Sequence, residues 1–169
     1  MNKLGILLVL GLLILGGCNS RPERLGAPIE GYNHTSAGIN SFRVSGNGGP
    51  NISPYGGGGK QNCCVSLPVK WHLELTVVVE WEKDPDPFAY GKWSEAPFTD
   101  VWRKRMAAHK ANYTRYRDVV EVAPYDALGV VTVHFLPCNE VKVAAGATRP
   151  NLPTHPYKYP PRIEEPSQC

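Results

Sequence analysis

Cysteine and histidine are the side chains here best equipped for covalent or metal chemistry, and their spacing decides between the two. Cysteines stand at 18, 63, 64, 138 and 169, and histidines at 34, 72, 109, 134 and 155. A thiolate zinc site needs a Cys-x-x-Cys pair and a metalloprotease helix needs His-Glu-x-x-His. Neither spacing occurs, so the sequence predicts no metal site and no cofactor. With Cys18 set aside, Cys63, Cys64, Cys138 and Cys169 form an even set, as a disulfide framework requires. Four cysteines allow three pairings. Adjacent side chains of an extended segment point to opposite faces, which favours different partners for Cys63 and Cys64, one bridging to Cys138 and the other to Cys169. Nucleophilic catalysis has no frame: Gly-x-Ser-x-Gly is absent, and Ser66 and His134 have no acid ordered with them. Gly56-Gly57-Gly58-Gly59-Lys60 invites a phosphate-loop reading, but Pro54 stands where a glycine is required and Gln61 where Ser or Thr is required. The segment 46–59 is expected to be a flexible surface loop whose glycines let backbone approach a partner closely. The sequence predicts no enzyme.

The elements that must carry these residues are short. The chain has 169 residues, 42% hydrophobic and 20% charged, with a net charge of +3, which fits one domain and excludes a disordered chain or a strongly basic nucleic-acid binder. With 17 glycines and 16 prolines, turns must be frequent and long helices scarce. From His72 to Lys83, Leu73, Leu75, Val77, Val79 and Trp81 share one parity while Glu74, Thr76, Glu80 and Glu82 share the other, the pattern of a half-buried strand. Val130 to Leu136 is apolar on both faces and reads as a central strand. Weaker strands are expected at 29–35, 39–44, 63–67, 116–122 and 140–144. Together they predict a mainly β fold, an antiparallel, immunoglobulin-like β-sandwich. One helix interrupts it, capped by Thr99 or Asp100 and fading near Lys110, with Phe98, Trp102 and Met106 as an apolar stripe. From residue 149 the tail holds six prolines up to Pro166 and favours extended polyproline structure.

The N-terminus reads as an address. Lys3 precedes an apolar run from Leu4 to Leu15, too short to span a bilayer comfortably. The run ends in Leu15-Gly16-Gly17-Cys18, which resembles the bacterial lipobox, so residues 1–17 are expected to be a lipoprotein signal peptide and Cys18 the lipidated first residue of the mature chain. Several acyl chains on one cysteine would hold the protein to a membrane through this anchor. Asn19 stands where Asp would resemble an inner-membrane retention signal, which favours the periplasmic side of the outer membrane. Residues 18–28 are expected to form a tether, 29–148 the domain and 149–169 the tail.

Recognition has three candidate features. Tyr55 lies in the glycine loop, Tyr90 and Trp93 lie in a proline-stiffened loop that follows Lys83, and Tyr and Trp in such settings serve as binding anchors. A local apolar cluster is the competing explanation for the loop aromatics. Arg103, Lys104, Arg105, Lys110, Arg115 and Arg117 crowd the helix and its exit, while 74–86 is acidic. Such asymmetry fits an anionic lipid surface or an acidic partner, or else a surface balanced within itself.

Several stretches together resemble one family: Gly31-Tyr32-Asn33-His34-Thr35, the glycine loop leading to Cys63-Cys64, Leu67-Pro68 with Trp71, Glu80-Trp81-Glu82, Val122-Ala123-Pro124-Tyr125, and Val133-His134-Phe135-Leu136-Pro137-Cys138. The likeness, from about Gly31 to Ala145, is to proteobacterial lipoproteins classed as a domain of unknown function, which include immunity proteins against type VI secretion phospholipase effectors. The resemblance implies a lipid-anchored periplasmic inhibitor that binds a cognate phospholipase effector stoichiometrically, with no turnover and no nucleic-acid partner. Tyr55, Tyr90, Trp93, Arg103 and Arg105 are the partner-binding candidates from this sequence. The alternative is a general outer-membrane lipoprotein that binds lipid, glycan or an envelope assembly component.

Overall fold

The computed structural model describes residues 22–169, so the signal peptide and the lipidation site at Cys18 lie outside the described residues. Two four-stranded sheets pack face to face. The first holds, in spatial order, β4 (Asn62–Pro68), β1 (Arg24–Asn33), β7 (Leu128–Phe135) and β8 (Val141–Gly146). The second holds β3 (Asn47–Gly48), β2 (Gly38–Val44), β5 (Thr76–Asp84) and β6 (Thr114–Glu121). This is the expected sandwich with one short helix. It departs from the antiparallel expectation at one seam, because β1 runs parallel to β7, from Ile29 opposite Val131 to Asn33 opposite Phe135. Pairing partners of distant strands leave no trace in periodicity, which reports faces and not neighbours.

Alternation builds the core. Val77, Val79 and Trp81 of β5 are buried while Thr76 on the other parity is exposed. Ile29, Val131 and Val133 close the facing layer. Phe42 and Phe135 bridge the sheets edge to face, with centroids 5.1 Å apart. Loops are pinned to the sandwich by side chains: Trp71 Nε1 donates to Val122 O at 2.9 Å and Tyr125 Oη to Pro68 O at 2.6 Å.

Two boundaries move. The strand β1 starts at Arg24, so residues 24–28 belong to the sheet and not to a tether. Pro28 lacks a ladder donor, and the register of β1 against β4 shifts between Ala27 and Ile29, which lets a proline sit inside a strand. Leu73 is 76% exposed in a turn, so β5 is shorter at its start than its apolar parity implies.

The helix, α1 (Asp100–Lys110), is where the sequence places it: Thr99 caps it by accepting from Trp102 N at 3.3 Å. Its burial differs. Phe98 is 71% exposed, Trp102 and Met106 are half-buried, and the buried helical residue is His109, paired to Asp84 at 3.1 Å. A polar clasp, not an apolar stripe, fastens α1 to the end of β5.

The cysteine pairing is a correction. Cys63 bonds to Cys64, and Cys138 bonds to Cys169. The alternation argument presumes a trans peptide, but the Cys63–Cys64 peptide is cis and turns both side chains toward each other. The second bridge closes a loop of sequence separation 31 and stabilises the fold by about 4 kcal/mol in the chain-entropy picture. It also ties down the tail, as expected of Cys169.

Candidate functional site

Two regions at one end of the sandwich gather the side chains capable of recognition. The first is the excursion 85–113 between β5 and β6. Trp93 is half-buried, crossing Trp102 at 6.2 Å and His109 at 5.8 Å, with the Arg105 guanidinium 4.9 Å over its ring. Arg105 also bonds both Glu95 oxygens, at 2.9 and 2.8 Å. Trp93 and Arg105 therefore brace a local cluster. Tyr90 stays 51% exposed, and Phe88, Phe98 and Val101 join it as open apolar side chains. The basic residues are largely answered by acids: Arg103 by Asp100 at 3.1 Å, Arg115 by Glu82 at 2.7 Å and Arg117 by Glu80 at 3.7 Å. The last two lie across the β5–β6 ladder, where Glu82 faces Arg115 and Glu80 faces Arg117. Charge asymmetry along the chain becomes neutrality on the sheet, and the Arg115 guanidinium holds the Glu82 carboxyl below its ordinary range.

The second region was invisible as spacing. His34 and His134 converge with His155 of the proline-rich tail. Tyr32, His134 and His34 stack in sequence, with centroids 5.5 and 5.2 Å apart and planes within 20° and 18°. Tyr157 and Tyr159 stack on each other at 5.8 Å and cross His134 edge-on. The sequence brings these rings together through β1, the parallel neighbour β7, in which Tyr32 faces His134, and the tail. The histidines share no repeat, and the one readable clue is a tail that places His155, Tyr157 and Tyr159 among prolines.

Hydrogen bonds fix the tautomers. Pro160 O can only accept, so His34 Nδ1 donates to it at 2.7 Å, and His34 Nε2 in turn accepts from His134 Nδ1 at 2.9 Å. His134 Nε2 is left as a buried lone pair with no partner among the described residues, and His155 Nε2 is likewise buried without a partner there. Burial, with His34 and His155 beside it, pulls the His134 pKa down to about 3. Burial also lowers His34, opposed by its bond to Pro160. Both rings are neutral at pH 7. An imidazole this weakly basic takes up no proton from a substrate near neutrality, so the cluster offers shape and neutral hydrogen bonding.

Beside it the glycine loop is held to the fold. Asn33 N donates to Gly56 O at 2.7 Å and Gly58 N to Gly31 O at 3.1 Å. A Cβ on Gly57 would strike the β1 backbone, and one on Gly58 the Tyr32 ring, so the glycines admit close approach of the chain to itself. This corrects the expected flexible loop over 56–58. Tyr55, at the loop's start, is half-buried with Arg162 5.0 Å over its ring. Asn33 holds the adjoining turn by accepting from Thr35 N and donating to Ala37 O. At the far end of the tail Cys138, Glu165 and Cys169 converge, but the two sulfurs are bonded to each other and leave no thiolate ligand.

Residues 32–143 match the model of a family described as protein of unknown function (DUF3304). The chain belongs to that family. No curated protein matches it. The family match takes in His34, His134, the glycine loop and the excursion 85–113, and it stops before His155, Tyr157, Tyr159 and Cys169. Half of the aromatic cluster thus comes from the family domain and half from a tail beyond it. Among the described residues no helix is long and apolar enough to cross a membrane.

Proposed function

We propose that this chain is a lipid-anchored, non-enzymatic inhibitor that captures a phospholipase effector of type VI secretion on the periplasmic side of the outer membrane. The sequence resemblance supplies the class of partner, and the excursion 85–113 supplies the surface that supports this reading. Of the large apolar side chains left open by the fold, Leu25, Leu73, Phe88, Tyr90, Phe98, Val101, Val119 and Leu152, half sit on this one excursion. Aromatic anchors on a braced loop are what a protein interface uses, because little entropy is lost when they are covered. A standard interface buries about 800 Å² on each side, a scale suited to an excursion of this length. Binding to anionic headgroups is the weaker reading, since Arg103, Arg105, Arg115 and Arg117 each already face a carboxylate.

The test is capture. A tagged Cys18→Ser chain, expressed in the producing strain and washed at high salt, is expected to retain one lipase-like protein in equal amount, identified by mass spectrometry. A contact centred on apolar anchors survives screening. The double substitution Tyr90→Ala, Phe98→Ala is expected to abolish retention without lowering the melting temperature. Recovery of no protein, or only of abundant envelope proteins, would overturn the proposal.

A further inference from the structure

Between the glycine loop, β1 and the tail lies a pocket of about 290 Å³ whose walls are Tyr32, Tyr55, Tyr157 and Tyr159, with His34 and His134 beneath. Ligand pockets begin near 300 Å³, so this one has room for a single ring. Three observations define what that ring must be. No Asp, Glu, Lys or Arg lines the pocket, and the two imidazoles are neutral at pH 7. Within the lining, therefore, neither an anion nor a cation finds a counter-charge, and Arg162, which is outside it, is taken up over the Tyr55 ring.

The walls are flat and their edges are polar. Tyr157 and Tyr159 stack within 16° of parallel, and Tyr32 stacks on His134 within 20°. Burial raises the pKa of Tyr32, Tyr157 and Tyr159, so each keeps its phenolic proton and can both donate and accept. Asn151 adds an exposed side chain at the opening. A flat aromatic face bordered by neutral two-way hydrogen-bonding groups suits a ring that is apolar on its faces and hydroxylated around its edge. We infer that this pocket binds an uncharged pyranose unit of a glycan. The inference is independent of effector capture, which uses the excursion 85–113.

The experiment applies the labelled Cys18→Ser chain to an array of neutral glycans, then measures saturation transfer from the protein's aromatic protons to the glycan retained most strongly. The expected result is retention of at least one neutral hexose-containing glycan, with transfer concentrated on the ring protons of one sugar face. Tyr55→Ala and Tyr159→Ala, each removing one aromatic ring from the lining, are each expected to weaken binding by about ten-fold or more. Tyr159→Phe keeps the face and should retain most of the affinity, which separates loss of stacking from loosening of the tail. Three results would overturn the inference: no neutral glycan held above the Tyr55→Ala, Tyr159→Ala chain, equal binding by the alanine variants, or displacement of the glycan by choline at equal concentration.

Discussion

At position 134 an imidazole is enclosed between Tyr32 and His34 and 1% exposed, with one nitrogen committed to His34 and the other unpartnered. Its protonation must therefore break the stack or strand a charge. In the unfolded chain the same ring titrates near 6.5, whereas in the fold its pKa is about 3, and His34 is shifted in the same direction. Between those values the unfolded chain binds more protons than the native one. Stability is thus fully present above pH 6.5 and is lost as pH falls toward 3, by at most about 1.4 kcal/mol per pH unit for each group. Urea unfolding at pH 7, 6 and 5, above most carboxylate titration, should show this fall. His134→Phe should flatten the slope even though it lowers stability at pH 7, and an unchanged slope would remove the histidines as its cause. None of this was legible from residue types. Positions 34, 134 and 155 have no common spacing, and only the parallel pairing of β1 with β7 and the path of the tail bring them together.

The strands other than β3 were legible because each follows a local rule, and α1 was legible for its ends but not for its attachment. Thr99 caps the helix and Lys110 closes it as the sequence implies, yet the stripe Phe98, Trp102, Met106 covers little, and His109 reaches Asp84 instead. Asp84 is doubly engaged, its other oxygen accepting from Asp86 N at 2.9 Å where the chain leaves β5. Since both partners are nearly enclosed, removing one leaves the other buried without compensation. His109→Ala should detach the helix while leaving the sandwich folded, because α1 adds no strand to either sheet. Hydrogen exchange should then show protection lost over 100–110 and kept in β5 and β7. Equal loss in both would mean that the helix and the sheets unfold as one unit. The vicinal cysteines illustrate the opposite failure, in which a sound local rule was applied to a peptide bond that does not obey its premise. The two-residue strand β3 is too short for any periodicity to announce.

The whole molecule has a direction. Glu23 O already accepts from Val69 N, and Glu23 is five residues past Cys18 in sequence, a separation that even a fully extended chain covers in at most about 18 Å. The strand β1 then runs for ten residues, from Arg24 to Asn33. The chain turns there, and Gly38 opens β2 beside Asp84, the last residue of β5. The excursion 85–113 therefore leaves the sandwich at the end where β1 finishes, as does the pocket around Tyr32 and His34. The excursion and the pocket thus lie at the end of the sandwich opposite the start of β1, which under the proposed anchoring at Cys18 would be the membrane end. Under that proposal no long tether is needed to present the surface. Deleting residues 19–22 from the lipidated chain should leave capture of the effector by isolated outer membranes unchanged, measured as effector sedimenting with the membranes. If the shortened chain captures less while its Cys18→Ser counterpart captures normally in solution, the binding surface lies near the start of β1, where Leu25 is 53% exposed, and not on the excursion.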